Sequence, residues 1–201
     1  MNYPILVDID GVLADFAYQY RQWIKALYNK DLQVFPIGQR PFNTWADPDV
    51  TAKQDTDLFK IIIEDRMESF RFWGFIPSLV GEDTWARLNM FSEHGMLYFV
   101  SNRWGRWAYR ISRDWLCKNG IQRPSLILAS RKSLIAIATK AVWALDDKWE
   151  NVWDMKPYCN ACLIERPYNA SHRDPTEKVG RVATVDQFLD LVEKGGKLDV
   201  Y

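Results

Sequence analysis

The chain is 201 residues long, 48% apolar and 26% charged, and its 26 Lys+Arg balance its 26 Asp+Glu. That length and mix suit one globular domain, or one with a modest insertion, and exclude wholesale disorder or a fibrous rod. Zero net charge also argues against a surface built to coat nucleic acid or an anionic membrane, so neither is an expected partner.

No apolar run approaches the ~20 residues that a membrane span needs. Met1-Asn2-Tyr3-Pro4 leads straight into Ile5-Leu6-Val7, without the basic and small-residue pattern of a secretion signal, so a cytoplasmic location is expected. The three cysteines, an odd count, fit a reducing compartment. Cys159-Asn-Ala-Cys162 has C-x-x-C spacing but no second pair and no histidine nearby, so it reads as packed thiols rather than a zinc or redox site.

In chain order, an apolar run at 4–9 predicts a first strand. Residues 16–27 and 57–70 have helical periodicity and are joined by a Pro/Asn/Asp-rich stretch at 35–49. Further strands are expected at 96–101, 125–129, 141–145, 161–164 and 181–185, with helices at 82–94, 106–119, 131–139 and 185–194. Most of these strands are continuous apolar runs, as in parallel sheets covered on both faces. The pattern predicts an α/β fold: a doubly wound, mostly parallel, Rossmann-like sheet. Residues 16–73 hold no convincing strand and are too many for an ordinary βα connection. They read as a small helical cap inserted after strand one, dividing the chain into a core of 1–15 and 76–201 and a cap of 16–75. Ligands in such sheets bind outside the carboxyl ends of the strands, where an insertion would form a lid.

The chemistry-bearing residues fall at those ends. Asp8-Ile9-Asp10-Gly11-Val12-Leu13-Ala14-Asp15 follows the first strand. Two carboxylates at i, i+2 can both reach the crevice, and Gly11 permits a tight turn whose N–H can face an anion. Buried acids need a compensating cation, which points to Mg²⁺ with oxygen ligands. Phe99-Val100-Ser101-Asn102 ends the next strand with a hydroxyl and a helix-start backbone suited to a phosphate oxygen. Lys132 opens the helix after the third strand, and Asp146-Asp147 closes the fourth.

This series resembles the four signature motifs of the haloacid dehalogenase (HAD) superfamily of aspartyl-phosphate phosphohydrolases, nearly end to end along the chain. The insertion after motif one, Phe16, and Arg166-Pro167-Tyr168-Asn169 after the last buried strand are similar to the 5′(3′)-deoxyribonucleotidase family. The resemblance implies Asp8 as nucleophile, Asp10 as general acid and base, and Lys132 as catalytic cation. It implies phosphate binding by Gly11, Ser101, Asn102, Arg103 and Lys132. Mg²⁺ would be held by Asp8, Asp10 and an acid of motif four, Asp147 being favoured over Asp146. The family's base-holding aromatics have their nearest counterparts in Phe16, Phe42 and Trp45. The implied substrate is a nucleoside monophosphate, and a homodimer would fit family relatives.

Two alternatives stand beside this reading. One is a HAD-fold phosphatase acting on nucleic-acid 3′-phosphate ends or another small phosphometabolite. Its support is Arg103, Arg106, Arg110 and Arg113, which would share one face if that segment were helical. The other is a non-catalytic phosphate- or nucleotide-binding module.

Overall fold

The structure, a computed structural model, describes residues 3–30, 52–170 and 179–195. Six parallel strands form its centre: β1 (Ile5–Asp8), β2 (Leu97–Ser101), β3 (Ser125–Leu128), β4 (Trp143–Asp146), β5 (Asn160–Ile164) and β6 (Gly180–Val182). Their order is β3-β2-β1-β4-β5-β6. The chain winds outward from β1 first to one edge and then, from β4, to the other. The switch point between β1 and β4 therefore opens a crevice at their carboxyl ends.

Both faces of the sheet are buried, which is why the strands are near-continuous apolar runs. Along β1, Ile5 and Val7 point to one layer and Leu6 to the other. The first layer holds α4 (Glu82–Glu93), α5 (Ala108–Lys118) and α8 (Val185–Glu193), represented by Leu88, Trp115 and Phe188. The second holds α6 (Lys132–Thr139) and α7 (Trp149–Met155), which contribute Ala136, Val152 and Met155.

Between β1 and β2 the described residues form α1 (Phe16–Tyr28), α2 (Ala52–Glu64) and α3 (Arg66–Gly74) before α4. Asp15, the last residue of motif one, caps α1 by accepting from the Tyr18 N–H at 2.9 Å. The chain returns beside its exit: Asp15 N–H donates to Pro77 O (2.8 Å) and Leu79 N–H to Leu13 O (2.7 Å). The inserted helices thus leave and rejoin the core through paired strands of backbone. Their apolar residues Phe16, Tyr20, Leu58, Ile62 and Phe72 are continuous with the core of the first layer.

Four expectations need correction. The segment 57–70 is two helices, because Asp65 stops one and caps the next, its Oδ1 accepting from the Met67 and Glu68 N–H groups. The short helix α7, not expected from the sequence, follows motif four directly. The last strand ends at Val182, since Thr184 already caps α8. The arginine stripe does not form: α5 starts only at Ala108, so Arg103 and Arg106 precede it. Arg103 is buried, whereas Arg110 and Arg113 lie exposed on the helix. The Pro/Asn/Asp-rich stretch at 35–49 lies outside the described residues. Cys162 is buried in β5 and Cys159 half-buried beside it, both as free thiols whose burial pushes them up to about 12.

Candidate active site

The switch-point crevice gathers most of the sequence-predicted residues. Asp8, a residue only 5% exposed, ends β1, and the Ile9 N–H donates to its Oδ1 at 2.7 Å. The chain then turns through Gly11, whose φ of 82° favours glycine. A Cβ at Gly11 would overlap the Asp147 carboxylate and the Tyr168 hydroxyl, so the position is restricted by space as well as by backbone. The Gly11 N–H, expected to face an anion, instead donates to Ala14 O at 2.9 Å, because the turn closes on itself. Phosphate binding by that N–H is therefore corrected.

Lys132, the first residue of α6, is 4% exposed and lies between two acids from neighbouring strands. Its Nζ is 2.7 Å from Asp8 Oδ1 and 2.6 Å from Asp146 Oδ2. Burial opposes its charge, but Asp146 and Asp8 outweigh that and hold the ammonium above the usual lysine range. Asp8 is pushed well above the carboxylate range by burial, with Lys132 opposing and Asp146, Asp147 and Asp10 adding to it. Asp146 is further held by the Lys148 N–H (2.8 Å) and by Asn151 Nδ2 (3.1 and 3.2 Å).

Asp147, fully buried, has a different environment. Burial and then Asp146 push it up to about 6, while a hydrogen bond from the Tyr168 hydroxyl to Oδ2 acts the other way. Its Oδ1 is buried and has no hydrogen-bond partner among the described residues, a costly state for a carboxylate oxygen. Carboxylate oxygens of Asp8, Asp146 and Asp147 lie within 4.8 Å of one another. Buried, mutually repelling and one oxygen short of a donor, this set fits a hard divalent cation such as Mg²⁺.

Behind Asp147, the turn after β5 braces the site. Asn169 Nδ2 donates to Asp147 O and Ile164 O, both at 2.8 Å. Arg166 donates to Gly11 O (2.6 Å) and Val12 O (3.2 Å). The sequence shows Arg166, Tyr168 and Asn169 as a motif but gives no sign of these contacts.

At the end of β2, Ser101 Oγ donates to Asp10 Oδ2 (3.2 Å) and accepts from the Arg103 N–H (3.1 Å). Asn102 is exposed at the crevice. The Arg103 side chain is fully buried and grips Asp10: Nε contacts both carboxylate oxygens at 3.2 and 2.9 Å, and an Nη donates to Oδ1 at 2.7 Å. Its other Nη donates to Ser112 Oγ at 3.1 Å. The guanidinium lies 4.8 Å from the Trp73 ring and 5.8 Å from that of Trp115.

Above the acids is a cavity of about 220 Å³. Asp8, Asp10 and Lys132 line it, and Phe16, Phe59, Trp73 and Trp104 supply aromatic surface. Phe59 stacks between Phe16 and Trp104, with ring centroids 6.5 and 6.3 Å away. Trp104 remains 58% exposed although it lines the cavity. The buried Trp73 indole N–H has no acceptor among the described residues. Phe42 and Trp45 lie outside the described residues. Sequence reasoning missed Phe59 and Trp104, whose approach depends on how α2 meets the loop after β2.

Fold and site together define the class: a doubly wound α/β protein with a cation-ready acidic centre at its topological switch point. No protein-family model and no curated protein matches the chain. Among solved structures it is similar to a HAD-superfamily hydrolase from Ehrlichia chaffeensis, at 14% identity, 96% coverage of this chain, 98% of that chain and a TM-score of 0.48. It is also similar to CbbY from Rhodobacter sphaeroides in complex with phosphate, at 13% identity, 95% and 96% coverage and a TM-score of 0.41.

Proposed function

We propose that the protein is a Mg²⁺-dependent phosphatase of nucleoside monophosphates that works through an aspartyl-phosphate. The observation that carries this is Asp8, a buried carboxylate on Lys132, set among Asp146 and Asp147 at the floor of an aromatic cavity. The cation would be held by Asp8, Asp147 and the backbone carbonyl of Asp10. Asp147 suits direct ligation because its Oδ1 lacks a partner, whereas Asp146 is engaged by Lys132, Lys148 and Asn151. When bound, the metal would offset the phosphate's negative charge beside these carboxylates.

Asp8 attacks phosphorus in line through a carboxylate oxygen as the bond to the leaving nucleoside oxygen breaks. Asp10 gives its proton to that oxygen. Water then attacks the aspartyl-phosphate, losing a proton to Asp10, and inorganic phosphate leaves as the acyl-phosphate P–O bond breaks. Lys132 and Asn102 stabilise the equatorial phosphate oxygens beside this acidic centre, while the Ser101 hydroxyl stays on Asp10. Trp104, exposed at the cavity, offers the base an aromatic face, with Phe59 and Phe16 stacked behind it.

The test is phosphate release from a panel of ribo- and deoxyribonucleoside 5′- and 3′-monophosphates, with Mg²⁺ or EDTA. Release should require Mg²⁺, differ between bases and vanish in Asp8→Asn. Release by Asp8→Asn at the wild-type rate would overturn the mechanism, and no release from any nucleotide would overturn the substrate class.

A further inference from the structure

We infer that Arg103 is a positioning residue, which sets the Asp10 carboxylate in the orientation needed to exchange protons with the leaving group and the attacking water. The inference rests on the phosphatase reading above and concerns a residue that the sequence pointed toward the phosphate.

The geometry favours Asp10 as the target. Nε and one Nη of Arg103 approach both oxygens of a single carboxylate, the forked arrangement that fixes a carboxylate's plane as well as its location. Ser101 adds a third direction at Oδ2. Arg103 itself has little freedom: its side chain is fully buried, Ser112 holds the other Nη, and Trp73 and Trp115 flank the guanidinium. Asp10, by contrast, is 18% exposed on its side chain and faces the cavity. A mobile acid at a cavity wall would lose much of the rate advantage of a proton-transfer group, which depends on hydrogen-bond reach to the reacting oxygen. Trp73 belongs to the inserted helix α3 and Trp115 to α5 of the core, so the fork is anchored in both parts of the molecule.

The two half-reactions separate this role from general structural damage. p-Nitrophenolate leaves without a proton, so p-nitrophenyl phosphate can phosphorylate Asp8 without help from Asp10. Hydrolysis of the aspartyl-phosphate still needs Asp10 to accept a proton from water. Arg103→Met should therefore release one equivalent of p-nitrophenol at a rate near that of the wild type. Steady turnover should then fall about 100-fold, the lower end of what a proton-transfer group contributes, with phosphoprotein trapped by acid quench. On a nucleoside monophosphate the same variant should be slow from the first turnover. Arg103→Lys, which keeps the charge but not the fork, should recover only part of the loss.

Asp10→Asn is the control and should give the same burst. A burst in Asp10→Asn with none in Arg103→Met would overturn the inference alone. No burst in either would overturn the proton-transfer role of Asp10, and the inference with it. Equal losses in the burst and the steady rate of Arg103→Met and Arg103→Lys would mark Arg103 as merely structural.

Discussion

One ammonium group, that of Lys132, lies within 2.7 Å of two buried carboxylates on neighbouring strands. Removing one partner from a buried ionic set costs about 3–5 kcal/mol, because the remaining charges stay desolvated. Lys132→Met should therefore lower the denaturant midpoint as well as abolish phosphate release. Unchanged stability by urea titration would show that Asp8 and Asp146 do not depend on it. At this scale the sequence was informative wherever a chemically distinctive side chain ends an apolar strand, as with Asp8, Ser101, Asp146 and Asp147. It was silent on Asn151 and showed Tyr168 only within a motif, without its partner; both bond carboxylates fixed only by how α7 and the turn after β5 meet β4. Arg103 was visible as a cation near Ser101, but whether it faces substrate or Asp10 depends on the indoles around it, which come from distant helices.

Among elements, strands were the easiest to read. A strand buried on both faces is apolar along its length, and β1, β2, β4 and β5 are so except for one terminal residue each, Asp8, Ser101, Asp146 and Asn160. Helix α7 escaped notice because its seven residues, Trp149 to Met155, span barely two turns and carry too few apolar repeats to show a period. The break between α2 and α3 was concealed for the opposite reason: apolar spacing continues across Asp65, although Asp65 and Glu68 carry the spacing of an N-terminal cap. Contacts between elements were not legible at all, and Asn169 is an example. Its amide joins β5 to the backbone of Asp147, beyond β4, in a fully buried place. Asn169→Ala leaves two carbonyls without this donor and should cost about 1–3 kcal/mol, with weaker Mg²⁺ binding by isothermal titration. A stability loss with unchanged Mg²⁺ affinity would confine Asn169 to the fold.

For the molecule as a whole, the acid cluster links stability to pH and to metal. Asp147 has an ordinary value of 3.8 and is pushed up to about 6 on folding. Between these values the metal-free folded protein holds a proton that the unfolded chain has released. The contribution of Asp147 to stability is therefore full below about pH 4 and is lost as pH rises through about 6. The loss is up to about 3 kcal/mol, from roughly two pKa units at 1.36 kcal/mol each. Melting in EDTA should show this decline, and Mg²⁺ should raise Tm at pH 7 by binding the folded state alone. A Tm at pH 7 indifferent to Mg²⁺ would count against a metal centre at these three aspartates.

The Arg166 clamp also bears on how the protein folds. Its guanidinium donates to Gly11 O, 155 residues earlier in the chain. Contacts so distant in sequence are slow to form, because a long loop must close before they stabilise anything. The turn after Asp8 is local in sequence, yet its Arg166 donors reach Gly11 O and Val12 O only once the residues after β5 have folded back across the sheet. Bracing of this turn is therefore expected among the last steps of folding, after the parallel strands have paired.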